Sequence, residues 1–462
     1  MSQPRTLFQK IWDDHEIRDF GNGYSLLHVD RDIMHDLLGS LVFEPLDKRG
    51  MKMPNPELHF ATMDHGIETE TGRTDETKIA GGKAGVQGLR RKCKEYGITM
   101  FDLGDERQGI CHVFTPEQGI ALPGITMVCP DSHTCTLGGL GALAWGIGST
   151  DCEHALATRT LRITAHKQMR ITLEGDRPKW LTAKDIIIHL IGRFGAGFGA
   201  GHVIEFAGPA IKSMEIEERL TLCNMGVEFA AFTALIAPDA KTFEYVRGRP
   251  FAPKPEYTAD AEAQWAALVS DVDATFDTDI KVDISRIAPT ITWGTSPEHA
   301  VAIDGDLPQA DPSLDEVYRY VDLNAGKPML GQPIDGAFIG SCTNSRLSDL
   351  RRAADLLRRQ HVAKGVRAIC APGSMAVKRA AEAEGLDKVF RAAGFEWHEA
   401  GCAFCFYAGG ETFAPGARVL SSTNRNFEGR QGPGVRTHIA SPETVAWSAI
   451  NGCISDVREA LS

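Results

Sequence analysis

The segment PIDGAFIGSCTNSRLSDLRRAADLL (333–357) passes from a strand pattern to a helix pattern across one short polar turn. Its first part, 333–340, is short and apolar, which favours a buried strand. From Leu347 to Leu357 apolar residues recur at helical spacing, which is typical of a helix with one buried face. Cys342 therefore lies at a strand-to-helix turn, where free backbone N–H groups and the helix dipole stabilise a thiolate. Repeated units of this kind predict an α/β fold.

Two further cysteines, in GCAFC (401–405), complete a set of three soft metal ligands. A closed structural zinc site needs four ligands, whereas an iron–sulfur cube held by three thiolates keeps one iron open for a substrate. Cys342, Cys402 and Cys405 are therefore candidate ligands of a metal centre. The spacing also fits a buried thiol beside a redox or zinc half-site, and spacing alone does not choose between these alternatives.

Polar side chains follow two predicted strands in the first part of the chain. LHFATMDH (58–65) and GITMVCPDSHT (124–134) each predict an apolar strand that ends in acidic residues and histidines, and RQGICHVF (107–114) adds a histidine in a third apolar segment. In open α/β sheets, ligands bind beyond the carboxyl ends of the strands. The candidate residues at these positions are Asp64, His65, His112, Asp131, Ser132 and His133.

Other segments give weaker predictions. A helix is expected from Arg31 onward, and another over SMEIEERLTLCNMGVEF (213–229), where Asn224 and Glu228 would share one face. A solvated helix edge is the ordinary alternative for these two polar residues. The glycine-rich run 137–151 lacks the G-x-x-x-x-G-K-[ST] pattern, so close packing of a helix on a sheet explains its glycines better than a phosphate loop does.

Composition narrows the class of protein. The chain has 462 residues, which suggests two to four units of ordinary domain size, and 49 Lys and Arg against 61 Asp and Glu give a net charge of −12. That charge disfavours a general nucleic-acid surface. No apolar run is long enough to cross a bilayer, and the N-terminus lacks the apolar core of a signal peptide, so we expect no membrane contact and a cytoplasmic location. Eleven scattered cysteines favour reduced thiols and a metal centre over disulfides.

These groups suit the removal of water from a hydroxy-dicarboxylate. That reaction needs a Lewis acid on the leaving hydroxyl, an acid to protonate it and a base at the neighbouring carbon. An open iron answers the first need, and His65 and His133, each with an aspartate nearby in sequence, are candidates for proton transfer. Arg425 and Arg430 can bind planar carboxylates with two hydrogen bonds each.

Seven short motifs then occur in the order found in the aconitase superfamily, which the chain resembles over almost its whole length. Within that superfamily it is most similar to the large subunits of the isopropylmalate dehydratases, as LTLCNMGVEF, APDAKTFEYVRGR and STNRNFEGRQG illustrate. The motifs are DH (64–65), GICH (109–112), PDSHT (130–134), CNMGVE (223–228), GSCTNS (340–345), GCAFC (401–405) and NRNFEGRQG (424–432).

The resemblance implies a fold. It predicts three α/β/α subdomains, at residues 1–166, 167–290 and 291–462, around a central [4Fe–4S] cluster. In the superfamily a swivelling fourth domain carries the base serine and a further arginine. This chain ends where the family's large subunits end, so we expect that domain to be a separate small subunit, without which the chain is inactive.

The resemblance also implies a role for each candidate residue. The expected reaction is the interconversion of 2- and 3-isopropylmalate in leucine biosynthesis by dehydration and rehydration. Asp64 with His65, and Asp131 with His133, would form acid–base pairs around the leaving hydroxyl, with His112 beside them. The expected cluster ligands are Cys342, Cys402 and Cys405, the catalytic residues are Asp64, His65, His112, Asp131, His133 and Glu228, and the substrate-binding residues are Ser132, Asn224, Asn424, Arg425 and Arg430.

Two departures from the family pattern leave the substrate open. Leucine-pathway members usually carry Cys-Ser-Met-Cys, whereas this chain has Cys-Ala-Phe-Cys followed by Phe406, and Gly39-Ser40-Leu41 replaces Ser-Pro-Gln. A sibling enzyme acting on citramalate, dimethylmalate or homocitrate is therefore an alternative. An iron-responsive RNA-binding apoprotein, which the acidic charge disfavours, and a structural zinc protein are the non-enzymatic alternatives.

Overall fold

The computed structural model describes residues 3–38, 40–407 and 410–461. Gly39, one of the positions that depart from the family pattern, lies outside the described residues. The described chain is α/β, as predicted, and is built on three parallel sheets with two small antiparallel ones.

The first part of the chain holds two sheets. A parallel sheet has the order β5-β4-β3-β6-β7, and an antiparallel sheet has the order β1-β2-β8. The strands are β1 (Glu16–Asp19), β2 (Tyr24–His28), β3 (Arg31–His35), β4 (His59–Thr62), β5 (Thr99–Phe101), β6 (Thr126–Cys129), β7 (Leu143–Gly146) and β8 (Thr160–Thr164).

The later strands form a parallel sheet β11-β10-β9-β12, a two-stranded antiparallel sheet β13-β14 and a parallel sheet β17-β16-β15-β18-β19. They are β9 (Lys167–Glu174), β10 (His202–Ala207), β11 (Thr233–Ile236), β12 (Thr278–Asp283), β13 (Thr290–Thr292), β14 (Ala300–Ala302), β15 (Gly336–Ile339), β16 (Arg367–Cys370), β17 (Phe395–Trp397), β18 (Arg418–Ser421) and β19 (Arg436–Ile439).

Helices cover these sheets. Those that position the site are α4, α6, α8 and α12. In chain order the helices are α1 (Leu7–His15), α2 (Glu44–Arg49), α3 (Gly82–Tyr96), α4 (Cys111–Glu117), α5 (Ser149–Thr158), α6 (Ala183–Phe194), α7 (Pro209–Ser213), α8 (Ile216–Asn224), α9 (Ala240–Val246), α10 (Thr258–Ala266), α11 (Asp315–Val321), α12 (Leu347–Leu357), α13 (Met375–Ala383), α14 (Leu386–Ala393), α15 (Pro442–Asn451) and α16 (Arg458–Leu461). Within the described ranges, no helix combines the length and apolar character needed to cross a bilayer.

Two of the hydrophobic cores contain residues that belong to more than one sheet. The core around the first parallel sheet also contains Leu220, Leu235 and Trp265, which belong to elements of the second sheet or its helices. The core of the second sheet includes Ile439 of β19. The second sheet is therefore packed against both of its neighbours, and the division at residues 166 and 290 stays a prediction.

Two local predictions were wrong. The residues after Arg31 form β3, not a helix, because the strand is buried between β4 and β6 in the centre of a parallel sheet, where tertiary pairing overrides a helical pattern. Helix α8 ends at Asn224, and Glu228 lies on the following 3₁₀ helix Met225–Phe229.

Gly138 and Gly139 of the 137–151 run serve close packing, as predicted. A Cβ on Gly138 would lie 1.8 Å from the carbonyl oxygen of Ala234, and one on Gly139 would lie 2.8 Å from the backbone nitrogen of Leu220. Real Cβ atoms do not approach backbone so closely. The 3₁₀ helix Ser132–Leu140 therefore lies directly against α8 and β11.

Candidate active site and metal centre

The carboxyl ends of β3, β4 and β6 form one edge of the first parallel sheet, because the order β4-β3-β6 makes them neighbours. Three aspartates follow these strands, and each lies in or next to the cleft expected at such an edge. They are Asp36, Asp64 and Asp131.

Asp36, which sequence analysis missed, is fully enclosed and organises the turn after β4. Its Oδ1 accepts hydrogen bonds from the backbone N–H groups of Asp64 at 3.1 Å and His65 at 3.0 Å, and its Oδ2 accepts one from Gly66 at 2.7 Å. A Cβ at Gly66 would lie 2.9 Å from that same oxygen, so the turn needs glycine there. Asp36 therefore fixes the backbone that carries Asp64 and His65.

Asp64 and His65 form a buried pair. His65 Nδ1 lies 2.6 Å from Asp64 Oδ1, and Asp64 Oδ2 accepts a hydrogen bond of 2.9 Å from the backbone N–H of Cys111. Burial acts to lower the pKa of His65, but the carboxylates of Asp64 and Asp131 raise it well above its ordinary value. The two carboxylates therefore favour the protonated imidazole, whose Nε2 is directed at Asp131.

Asp131 is the shared partner of three histidines. Its Oδ1 lies 2.8 Å from His112 Nε2 and accepts the backbone N–H of His133 at 2.8 Å, and its Oδ2 lies 3.4 Å from His65 Nε2. The ring Nδ1 of His133 is farther from Oδ1, at 3.6 Å. Burial acts to raise the pKa of Asp131, but the histidines hold it well below its ordinary value. The shortest ring contact of Asp131 is thus with His112 on α4.

A second chain of contacts runs from His133 to the last part of the sequence. His133 Nε2 lies 3.0 Å from Glu228 Oε1, and Arg425 Nε donates to the same oxygen at 2.8 Å. Burial acts to raise the pKa of Glu228, while His133 and Arg425 lower it more strongly. Ser132 is exposed and its hydroxyl lies 3.4 Å from His133 Nδ1. Glu228 therefore joins two of the predicted residue groups.

The three candidate cysteines are buried and lie at the facing edge of the third parallel sheet. Cys342 follows β15 and precedes α12, as predicted, and Ser341 before it has φ of 76°. Cys402 and Cys405 flank a short turn in which Cys405 N–H donates to Cys402 O at 2.8 Å. The N–H of Cys402 donates to the carbonyl oxygen of Asp64 at 2.9 Å, so the two sheet edges are in direct contact.

Polar hydrogens point at these sulfur atoms. The side-chain amides of Asn224 and Asn424 donate to Cys342 Sγ at 3.1 Å and 3.4 Å, and the Ser341 hydroxyl lies 3.3 Å from Cys405 Sγ. A hydrogen bond from Cys402 and the charge of Arg430 lower the pKa of the Cys405 thiol well below its ordinary value, whereas burial raises the pKa of Cys342 to about 12 and the hydrogen bond with Cys405 raises the pKa of Cys402. The protein alone therefore favours a thiolate at Cys405.

Two buried polar atoms next to the sulfurs have no protein partner in the described residues: Asn424 Oδ1 and Arg430 Nε. The Arg430 guanidinium lies between the rings of Phe406 and Phe427, whose centroids are 5.0 Å and 5.2 Å from its Cζ. Three soft donors, amide hydrogen bonds to sulfur and unpaired polar atoms beside them fit an iron–sulfur centre with bound substrate or water.

The structure also groups residues that sequence reasoning did not. A ring nitrogen of His112 and the sulfurs of Cys111 and Cys129 lie within 4.8 Å of one another, as do ligand atoms of His35, Asp36, Asp64 and His65. Asp36 and His35 would have been found by recognising β3, because they occupy the same strand-end position as Asp64 and Asp131. Nothing in the local sequence signals Cys111 or Cys129.

Comparison with known proteins agrees with this geometry. The family model for the aconitase family (aconitate hydratase) matches residues 9–452. The chain belongs to the aconitase family. The "3-isopropylmalate dehydratase large subunit 1" of Bradyrhizobium diazoefficiens is 51% identical over 462 aligned residues, with 98% of this chain and 96% of the relative covered. The "3-isopropylmalate dehydratase large subunit" of Roseiflexus castenholzii is 46% identical, with 99% of each chain covered.

Among solved structures, the holo form of aconitase X from Thermococcus kodakaraensis matches 90% of this chain at 13% identity with a TM-score of 0.47. That likeness is too distant to bear on individual residues. The family assignment rests on the family model and on the two sequence relatives, whose length this chain matches almost completely.

Proposed function

We propose that this chain is the large subunit of an iron–sulfur hydro-lyase that interconverts 2- and 3-isopropylmalate in leucine biosynthesis. The observation that carries the proposal is the direct contact between two sheet edges of different chemistry. One edge brings Asp131 together with three histidines, and the other brings together three buried cysteines. The names of the two relatives supply the substrate.

Cys342, Cys402 and Cys405 would hold a [4Fe–4S] cluster, and the amides of Asn224 and Asn424 would donate to its ligand sulfur. When bound, the cluster supplies a Lewis acid at the one iron that lacks a thiolate. All other steps fall to side chains. The half-buried Arg425 and the buried Arg430 suit the two carboxylates of a malate, because guanidinium binds carboxylate through two parallel hydrogen bonds.

Proton transfer to the leaving hydroxyl would come from the network around Asp131. His112 Nε2 and His65 Nε2 both face its carboxylate, which helps to raise the pKa of His65. Glu228 contacts both His133 and Arg425, and this group would orient water beside Arg425. Removal of the substrate Cα or Cβ proton then needs a base on the open side of the cleft.

We propose that a small swivelling subunit supplies that base, a serine, and a further arginine. Both relatives are named as large subunits, which supports a partner of this kind. We also propose a cytoplasmic location, because all eleven cysteines are free thiols and an open iron site requires reducing surroundings.

Anaerobic reconstitution with iron and sulfide, followed by assay with the cognate small subunit, tests the proposal. We expect about four irons per chain, visible absorption of a cluster, and turnover of 3-isopropylmalate. Stoichiometric zinc without iron would contradict it. A panel containing citramalate, dimethylmalate and homocitrate separates the siblings: indifference to 3-isopropylmalate with turnover of another malate would refute the leucine assignment while leaving the reaction class intact.

A further inference from the structure

A completely buried lysine lies between the second sheet and the metal centre. Lys184 is the second residue of α6, whose start is fixed by a capping box between Thr182 and Asp185, and none of its surface is exposed. Its Nζ donates to the carbonyl oxygens of Ser422 at 2.8 Å and Thr423 at 2.6 Å. Within the described residues no carboxylate lies within ion-pair distance of this amine, so its burial carries a substantial desolvation cost.

The two acceptor carbonyls occupy a junction of the site. They follow β18 and directly precede Asn424 and Arg425. The Ser422 hydroxyl also donates to Gly340 O at 3.1 Å and accepts from Gly340 N–H at 3.0 Å, two residues before Cys342. Lys184 therefore binds the segment at which two loops are joined. One loop carries Cys342, and the other carries Asn424 and Arg425.

Acidic groups nearby offset part of the cost of burying this amine. Burial lowers the pKa of Lys184 to about 7, and Asp349, Cys342, Asp185 and Cys405 each act to raise it. The amine therefore lies among acidic groups as well as against the two carbonyls.

We infer that Lys184 is a positioning residue that fixes the segment 422–425 against the metal centre. Its hydrogen bonds direct the amide of Asn424 at Cys342 and set the guanidinium of Arg425 at the substrate cleft. The inference rests on the proposed function, since it names a residue that acts on that site through others. It does not make Lys184 a group that touches substrate.

The test compares Lys184→Met and Lys184→Arg in the full chain, reconstituted anaerobically and assayed with the small subunit. Without the amine the segment 422–425 shifts, so Lys184→Met should raise the KM for 3-isopropylmalate about tenfold or more, with a smaller change in kcat. The electron paramagnetic resonance signal of the reduced centre should also shift, because the amide hydrogen bond to Cys342 Sγ is altered. Lys184→Arg should restore both properties in large part.

Lys10 provides a matched control. Its amine also donates to two carbonyl oxygens, those of Ala267 at 3.0 Å and Val269 at 2.6 Å, but it belongs to α1, away from the cysteines. Lys10→Met should lower Tm and leave the KM and the resonance signal unchanged. This comparison separates positioning of the site from support of the fold.

Wild-type KM and wild-type resonance signal in a folded Lys184→Met variant would overturn the inference, as would a fall in Tm alone. If that variant does not fold, Lys184→Gln replaces it. The shorter, uncharged amide should give an intermediate KM and a shifted signal, and wild-type values for both would again overturn the inference. A wild-type chain that binds no iron refutes the proposed function itself, a distinct result.

Discussion

The two facing sheet edges of the site differ in whether their buried polar atoms have hydrogen-bond partners in this chain. At the edge of the first sheet, Asp36, Asp64 and Asp131 are engaged by backbone N–H groups or imidazoles of this chain. At the edge of the third sheet, Asn424 Oδ1 and Arg430 Nε are buried without a partner in the described part of the chain. The first edge thus has its carboxylates held in place, whereas the second keeps two polar atoms free for the metal centre and substrate that we propose.

The largest loss of activity should come from a substitution at the edge of the third sheet. Cys402→Ser removes one of three candidate thiolates and should abolish both cluster binding and activity, because serine is a poor ligand for iron–sulfur sites. Iron analysis and the visible spectrum after reconstitution provide the measurement. Cys453→Ser, at a half-buried cysteine near the C-terminus, is the control and should retain iron and turnover. Retention of a full cluster by Cys402→Ser would contradict the proposal that Cys402 is a cluster ligand.

A substitution at the edge of the first sheet should have a different result, with loss of catalysis and retention of iron. Asp131→Asn removes the negative charge shared by His112 and His65, and should lower kcat by about 10²–10⁴-fold, the usual contribution of a positioned acid or base. The cluster spectrum should be that of the wild type. Asp151→Asn, at an exposed position on α5, is the matched control. Loss of iron from Asp131→Asn would show that the two edges are not separable.

Arg430→Lys tests whether the Arg430 guanidinium, whose Nε has no partner in the described residues, binds the substrate. A lysine keeps the charge but cannot form two parallel hydrogen bonds to a carboxylate, so the KM should rise about 10- to 100-fold while the cluster is retained. Steady-state kinetics on reconstituted enzyme measures this change. Arg358→Lys, at the exposed residue that follows α12, should have no effect. A wild-type KM in Arg430→Lys would mean that the guanidinium serves its contacts with Cys405 and the neighbouring rings and does not bind the substrate.

Sequence reasoning found the parts of the site that are local in sequence. Cys342 at a strand-to-helix turn, and Asp64, His65 and Asp131 beyond strands, follow from short apolar runs that end in polar residues. Asp36 was missed because β3 was predicted as a helix: its strand conformation comes from pairing with β4 and β6, which no local pattern reveals.

Contacts between distant segments were equally invisible. The carbonyl acceptors of Lys184 lie 238 and 239 residues away in sequence. The resemblance to a known family pointed to Asn224 and Asn424, whose amides lie near Cys342. The sequence pattern alone gave no reason to place them there. The strand-end positions of the candidate reactive residues were therefore easier to predict than the residues that hold them in place.

Asp36→Asn should have the smallest effect on catalysis and is the sharpest probe of preorganisation. The amide loses one acceptor site, so at least one of the three N–H groups around it is left unpaired, which should lower the free energy of unfolding by about 1–3 kcal/mol. Because the charge at Asp131 is untouched, kcat should fall far less than in Asp131→Asn. Chemical denaturation and steady-state kinetics on one preparation measure both quantities.

Asp30→Asn separates these two effects. Asp30 also accepts a backbone N–H, that of Thr126 at 2.9 Å, but on the side of the first sheet away from the cleft, so its loss should cost stability and leave kcat unchanged. A moderate loss of kcat in Asp36→Asn alone would mean that rigidity of the turn carrying His65 contributes to the rate. Equal kcat in both variants would mean that Asp64 and Asp131 hold His65 in place without help from the turn beneath it.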